Sequence, residues 1–312
     1  MATATRVEAP HRPGARFPRP SPPLPLLLLA PASVVLLVLT GYPLIKLVIT
    51  STQKYGRAQV FGQPPEFVGL DNYRQVLTDS YFWTVLGRSI AFCAVNVLLT
   101  MALGTLVALL LTHLGRAMRL TVTVGLLFAW AMPPLAAIVI WGWMFDTQYG
   151  VVNWLLTNVG LDYQGHSWLI NPVSFFAVAT VIIVWQSVPF VAFTLYAALS
   201  QVPGDVMEAA EIDGANGRQR FRHITIAFIR PVLLLVTVLQ VIWDLRVFTQ
   251  IFALQDQGGI TAKTATIGVY IYQVGIAQGR FDMGSAIAVL MVVIMLVASG
   301  FYVRQILKQE EL

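Results

Sequence analysis

Two groups of residues in this sequence have types and spacings that point to chemistry. The first is the run Trp243, Asp244, Arg246 and Gln250, where two charges and an amide sit beside an indole in an otherwise apolar stretch. Charge inside a lipid-facing stretch is costly, so such residues compensate one another, pair with another subunit, or border a path for a polar molecule. Asn96 and Gln186 are further polar side chains in apolar context, suited to hydrogen bonds between helices or to lining a cavity. The second group lies in residues 201–215. There Asp205 is placed to cap a short helix, Glu208 to reach back and complete a capping box, and Gly214 to end the helix in a left-handed turn that Asp213 supports. Ala209 and Ala210 give that helix a face small enough to enter a groove on another protein.

Covalent chemistry has no support. No lysine follows a glycine, so the phosphate-cradling loop of an ATPase is missing. His11, His113, His166 and His223 fall in the N-terminal tail or in loops, and Cys93 is the sole cysteine, so neither a metal site nor a nucleophile–base pair is expected inside the apolar runs. Asp146 and Asp162 are too sparse for the acidic cluster that a membrane-embedded glycosyltransferase needs. No catalytic residue, metal or cofactor is expected on the chain itself. A self-sufficient secondary carrier calls for an internal repeat, which the sequence lacks.

These residues must be positioned by membrane helices. Hydrophobic residues make up 57% of the 312 and charged residues 11%, against about 25% charged in soluble domains. Apolar runs at 24–50, 82–112, 120–145, 173–199, 228–254 and 283–303 are each long enough to cross a bilayer, which takes roughly 20 residues. Backbone amides in hydrocarbon must be satisfied internally, so the expected fold is all-α, a polytopic membrane protein with six transmembrane helices. Residues 1–23, rich in proline and arginine, read as a disordered cytoplasmic tail before the membrane domain at 24–312. The first run is too long for a signal-peptide core of about 7–15 residues.

With the N-terminus inside, the cytoplasmic segments hold Arg6, Arg12, Arg16, Arg19, Arg116, Arg119, Arg218, Arg220, Arg222, Arg230, Arg304 and Lys308, against Lys54, Arg57, Arg74, Lys263 and Arg280 outside. This asymmetry places both termini in the cytoplasm and accounts for the net charge of +5 without nucleic acid. Pro43, Pro133, Pro134, Pro189 and Pro231 are expected to bend their spans. Trp83, Trp130, Trp141, Trp143 and Trp168, at or near span ends, read as an aromatic belt.

Glu208-Ala209-Ala210 followed by Asp213-Gly214-Ala215, Phe221, Ile224 and Pro231 resembles the EAA loop of binding-protein-dependent ABC importer permeases. The stretches Phe67-Val68-Gly69-Leu70-Asp71-Asn72-Tyr73, Trp141-Gly142-Trp143 with Tyr149-Gly150-Val151-Val152-Asn153, Trp185-Gln186-Ser187-Val188-Pro189-Phe190 and Arg246-Val247-Phe248 are similar to the carbohydrate-uptake, maltose-type branch. Two positions depart from it: Ile226-Ala227 replaces a Leu-Pro pair, and Gly258-Gly259-Ile260 stands at a Gly-Gly-Pro loop.

The resemblance implies a type I importer permease in a bacterial plasma membrane. It would pair with a second, similar permease, two cytoplasmic ATPase subunits that carry ATP and Mg, and an extracytoplasmic solute-binding protein. Residues 200–230, with Glu208, Ala209, Ala210, Asp213 and Gly214, would couple to the ATPase, and Trp243, Arg246, Gln250, Gln186 and Asn96 would border the path of a sugar. A glycerophosphate-type permease is the alternative within the same family.

Overall fold

A computed structural model describes the backbone of residues 23–310. The tail expected at 1–23 lies almost wholly outside the described residues. The chain divides into two compact units, 1–46 and 47–312. The first holds helix Pro23–Leu36, a π-turn, Leu37–Gly41, and the start of helix Tyr42–Ser51, whose later residues belong to the second. Leu28, Leu36, Leu37 and Leu39 are all more than half exposed, a surface that only lipid or another chain can satisfy.

The second unit begins with a minimal antiparallel hairpin, Gln53–Lys54 against Glu66–Phe67. Helix Asp71–Thr78 follows, tied down by buried Asn72, whose amide donates to the carbonyls of Ser51 and Gln53. Span two is Ser80–His113, started by Asp79, whose carboxylate accepts from the Tyr81 amide at 2.9 Å. Span four, Pro172–Leu199, is capped in the same way by Asn171. Span five is Ile226–Leu245, and span six belongs to helix Phe281–Glu310. The core gathers between spans two, four, five and six around Phe82, Phe175, Ile182, Ile251 and Ile287.

The third apolar run, expected as one span bent by its prolines, is broken at them. It forms two helices, Arg116–Ala131 and Pro134–Met144, bent by 101° at Met132–Pro133. Pro133 and Pro134 together withdraw two amide donors, and a proline fits the first turn of a new helix better than the interior of an old one. Among the described residues, five helices are long and apolar enough to cross a membrane, or six with the bent pair as one span. Pro189 and Pro231, by contrast, sit inside continuous helices. The fifth run is also interrupted: its helix ends at Leu245 and resumes as Thr249–Asp256.

Apolar burial does not drive helix association in lipid, so close packing and polar contacts must do so. At Gly104 a Cβ would stand 2.5 Å from Cγ1 of Val191, which shows how tightly spans two and four meet. Gly284 of span six approaches Gly275, in the π-turn Gln273–Ala277 that precedes it, so closely that a Cβ there would lie 2.5 Å from the Gly275 Cα.

Candidate functional site

The loop after span four holds helix Gly204–Ile212. Its start differs from the expectation at Asp205. Pro203 occupies the cap with extended backbone and no side-chain hydrogen bond, so Asp205 lies within the first turn and the Asp205–Glu208 capping box does not form. A carboxylate in the first turn still favours the positive end of the helix dipole. The reciprocal box occurs one element later, where Asn216 Oδ1 accepts from the Gln219 amide and Gln219 Oε1 from the Asn216 amide.

The helix end is as the sequence reads. Gly214 has φ +81°, and the amides of Gly214 and Ala215 donate to the carbonyls of Glu211 and Ala210, a Schellman closure. Glu211 pairs with Arg220, which ties the loop helix to the next turn. Met207 is half-buried and lines a cavity of about 550 Å³ together with Leu109 and Leu199. Glu208 and Ala209 are exposed, Ala210 is half-buried, and Ile212 is 87% exposed.

The polar residues of the spans do not converge on one point. Asp244 is buried and its Oδ1 accepts from Gln240 Nε2 at 3.0 Å, while Arg246 is exposed at the helix break. Among the described residues the only ion pair is Arg220–Glu211, so mutual compensation of Asp244 and Arg246 is set aside: side chains two apart on a helix end point to different sides. Trp243 packs edge-on against Phe190, with ring centroids 4.9 Å apart. Phe190 lies one turn beyond Gln186, and Gln250 is half-buried on the helix after the break.

Gln186 explains how the third run tolerates its bend. Its Nε2 donates at 3.2 Å to the Met132 carbonyl, a group left free where the helix stops. Gln186→Leu should destabilise the protein by about 0.6–1.7 kcal/mol, the range for polar contacts between membrane helices. A lowered unfolding midpoint in detergent, with Gln186→Asn intermediate, checks this; an unchanged midpoint for the leucine variant counts against the contact.

Asn96 is fully buried and donates back to the Phe92 carbonyl at 2.8 Å. Cys93, one turn earlier, donates its thiol to the Val241 carbonyl at 3.7 Å, which sets the Cys93–Asn96–Thr100 stripe of span two against the Gln240–Asp244 stripe of span five. Asn96 Oδ1, Thr100 Oγ1, Gln240 Oε1 and Asp244 Oδ2 are buried without a protein partner. Acceptors left in this state are receptive to hydroxyl or water donors. Gln240 and Thr100 were not singled out by sequence; the i,i+4 spacing of Gln240 and Asp244 was the available signal.

A bundle of bilayer-length apolar helices with unpaired polar groups buried inside its spans has the parts of a membrane transport protein. The chain belongs to the family of binding-protein-dependent transport system inner membrane components, which it matches over residues 100–310. It is 44% identical over 308 residues to the diacetylchitobiose uptake system permease protein DasB of Streptomyces coelicolor, covering 98% of this chain and 92% of that protein. It is 34% identical to the trehalose/maltose transport system permease protein MalF of Thermococcus litoralis, over 76% of this chain and 79% of that one. The fold matches a solved bacterial ABC transporter involved in alginate import, with a TM-score of 0.74 at 22% identity, covering 90% of this chain and 95% of the other.

Proposed function

We propose that this chain is one permease half of an ATP-driven sugar importer in a bacterial plasma membrane, with both termini cytoplasmic. A second permease completes the pathway, two ATPase subunits bind and hydrolyse ATP with Mg on the cytoplasmic side, and an extracytoplasmic protein delivers the solute. The observation that carries this reading is the loop helix Gly204–Ile212: exposed, closed by Gly214, and presenting Ala209 and Ile212 outward beside the arginines of the loop. Closure of the ATPases would push on this helix and, through spans four and five on either side of it, switch the opening from one face of the membrane to the other. The sugar class is supported by relatives named for diacetylchitobiose and for trehalose/maltose uptake. A solved alginate transporter, similar in fold, is described in complex with an oligosaccharide-bound periplasmic protein.

Trp243, Arg246 and Gln250 border the solute path in this proposal, with Gln186 and Asn96 supporting it. Sugar uptake by the assembled transporter in proteoliposomes tests both levels. Uptake that requires ATP and the ATPase subunits is expected. Alanine at Arg246 or Gln250 should weaken apparent affinity by about tenfold, the effect of losing a charged or well-placed hydrogen bond. Transport by the isolated chain in liposomes would overturn the importer reading; unchanged affinity in both variants would remove these residues from the path.

A further inference from the structure

At the end of the spans opposite the loop helix lies a pocket of about 310 Å³, formed where helix Pro134–Met144 turns into the 146–171 segment. Its volume is near the lower end of small-molecule sites, roughly 300–1,000 Å³, which leaves room for one end of an oligosaccharide. Trp143, Phe145 and Trp168 supply the rings, and Asp146, Ser167 and Gln257 the polar groups.

The rings are held for use from the inside. The Trp168 indole N–H donates to Asn153 Oδ1 at 2.6 Å, and Tyr163 stacks on its ring at 5.4 Å with 16° between planes. Asn153 is itself buried and donates to the His166 carbonyl at 2.9 Å. A belt tryptophan turns its N–H to lipid headgroups; this one spends it within the protein, so its place here needs another reason. Phe145 meets Trp168 edge-on at 5.4 Å.

The polar groups are equally fixed. The amides of Tyr149 and Gln148 donate to Asp146 Oδ1 at 2.8 and 2.9 Å and hold its carboxyl below the usual carboxylate range. Asp146 is thus an ionised acceptor at neutral pH. Gln257 lies across Gly142 so closely that a Cβ there would come within 2.0 Å of its Oε1, and only glycine lets the amide rest at the pocket wall. Among the described residues, no lysine or arginine lines the pocket.

From Phe145 the rings continue inward. Trp141 stacks on Phe145 at 6.2 Å, and Trp141 meets Trp185 of span four at 5.8 Å, one residue before Gln186. The outer pocket is joined to the span interior by a run of aromatic faces.

We propose that this pocket is a receiving subsite for a neutral sugar residue, with ring faces for the sugar C–H groups and Asp146 and Gln257 for its hydroxyls. The carboxylate, with no cation beside it, disfavours phosphorylated or uronic solutes. The proposal rests on the sugar-importer reading and adds a site and a charge preference to it.

The test uses the assembled transporter in nanodiscs without its solute-binding protein, probed by saturation-transfer NMR with diacetylchitobiose, maltose and glycerol 3-phosphate. Signal transfer to a neutral sugar and none to glycerol 3-phosphate is expected. Trp143→Ala should weaken neutral-sugar binding by about tenfold, the scale of one aromatic contact. Trp143 is 60% exposed, so its removal leaves the core intact. Asp146→Asn, which keeps the acceptor for both amides, should raise binding of glycerol 3-phosphate relative to the neutral sugars. Equal binding of all three probes, or of neutral sugars to wild type and Trp143→Ala, overturns the subsite. If ATP-driven sugar uptake persists in that case, the importer reading stands and only the pocket is lost.

Discussion

Gly214→Val in the assembled transporter should abolish most sugar uptake while leaving the chain in the membrane at normal abundance. At φ +81° the backbone of residue 214 is in the left-handed region, where a side chain costs about 1–2 kcal/mol, more when β-branched. The amides of Gly214 and Ala215 close the helix only in that conformation, so the helix end frays and Ile212 and Ala209 lose their fixed aim. Nothing within 4 Å would obstruct the added side chain, which separates a conformational effect from a steric one. Uptake, ATPase activity and co-purification of the ATPase subunits are the measurements. A fall in uptake of about tenfold or more, matching a loss of 1–2 kcal/mol at the contact, is expected. Gly214→Asn, which tolerates the left-handed region better, should retain an intermediate rate. Full uptake in the valine variant would remove the loop helix from the coupling route.

The second large effect is expected at Gly104→Ala, where the added Cβ would meet Cγ1 and Cβ of Val191 at 2.5 and 2.6 Å. Val191 is fully buried in a cluster with Ala108, Leu195 and Val236, so it has nowhere to retreat. Overpacking of this kind costs about 1–3 kcal/mol. The decisive variant is the pair Gly104→Ala with Val191→Ala, which removes the Cγ1 contact at 2.5 Å and leaves only the Cβ contact at 2.6 Å, so the relief is partial. Its unfolding midpoint should lie above that of Gly104→Ala alone, an interaction between the sites of about 1 kcal/mol or more. Strict additivity of the two single effects would show that spans two and four are not in register at this point. Val191→Ala alone leaves a cavity and also destabilises, so the sign of the coupling carries the result.

The two predictions rest on features of different legibility. Gly214 was readable because a helix stop is a local signal: a small residue after a run of helix formers, with its consequence confined to the neighbouring amides. The clash at Gly104 was not, because it depends on which residue of span four lies opposite, and nothing local to either span says so. The start of the same loop helix shows the limit of local signals. Asp205 and Glu208 have capping-box spacing, yet Pro203 took the cap and moved the helix start back, while Asn216 and Gln219, with equal spacing, formed the box.

Hydropathy is a sum over neighbouring residues, and it carried the all-α membrane class and the approximate spans. Partners remote along the chain came only with packing. Gln186 meets the Met132 carbonyl 54 residues away, and that contact satisfies a carbonyl at the 101° bend within the third run. Asp244 turned to Gln240 rather than to Arg246, and Trp168 turned its indole N–H inward to Asn153. A hydrogen bond needs a donor and an acceptor within about 3 Å and well aligned, a condition on three-dimensional position that composition and spacing leave open.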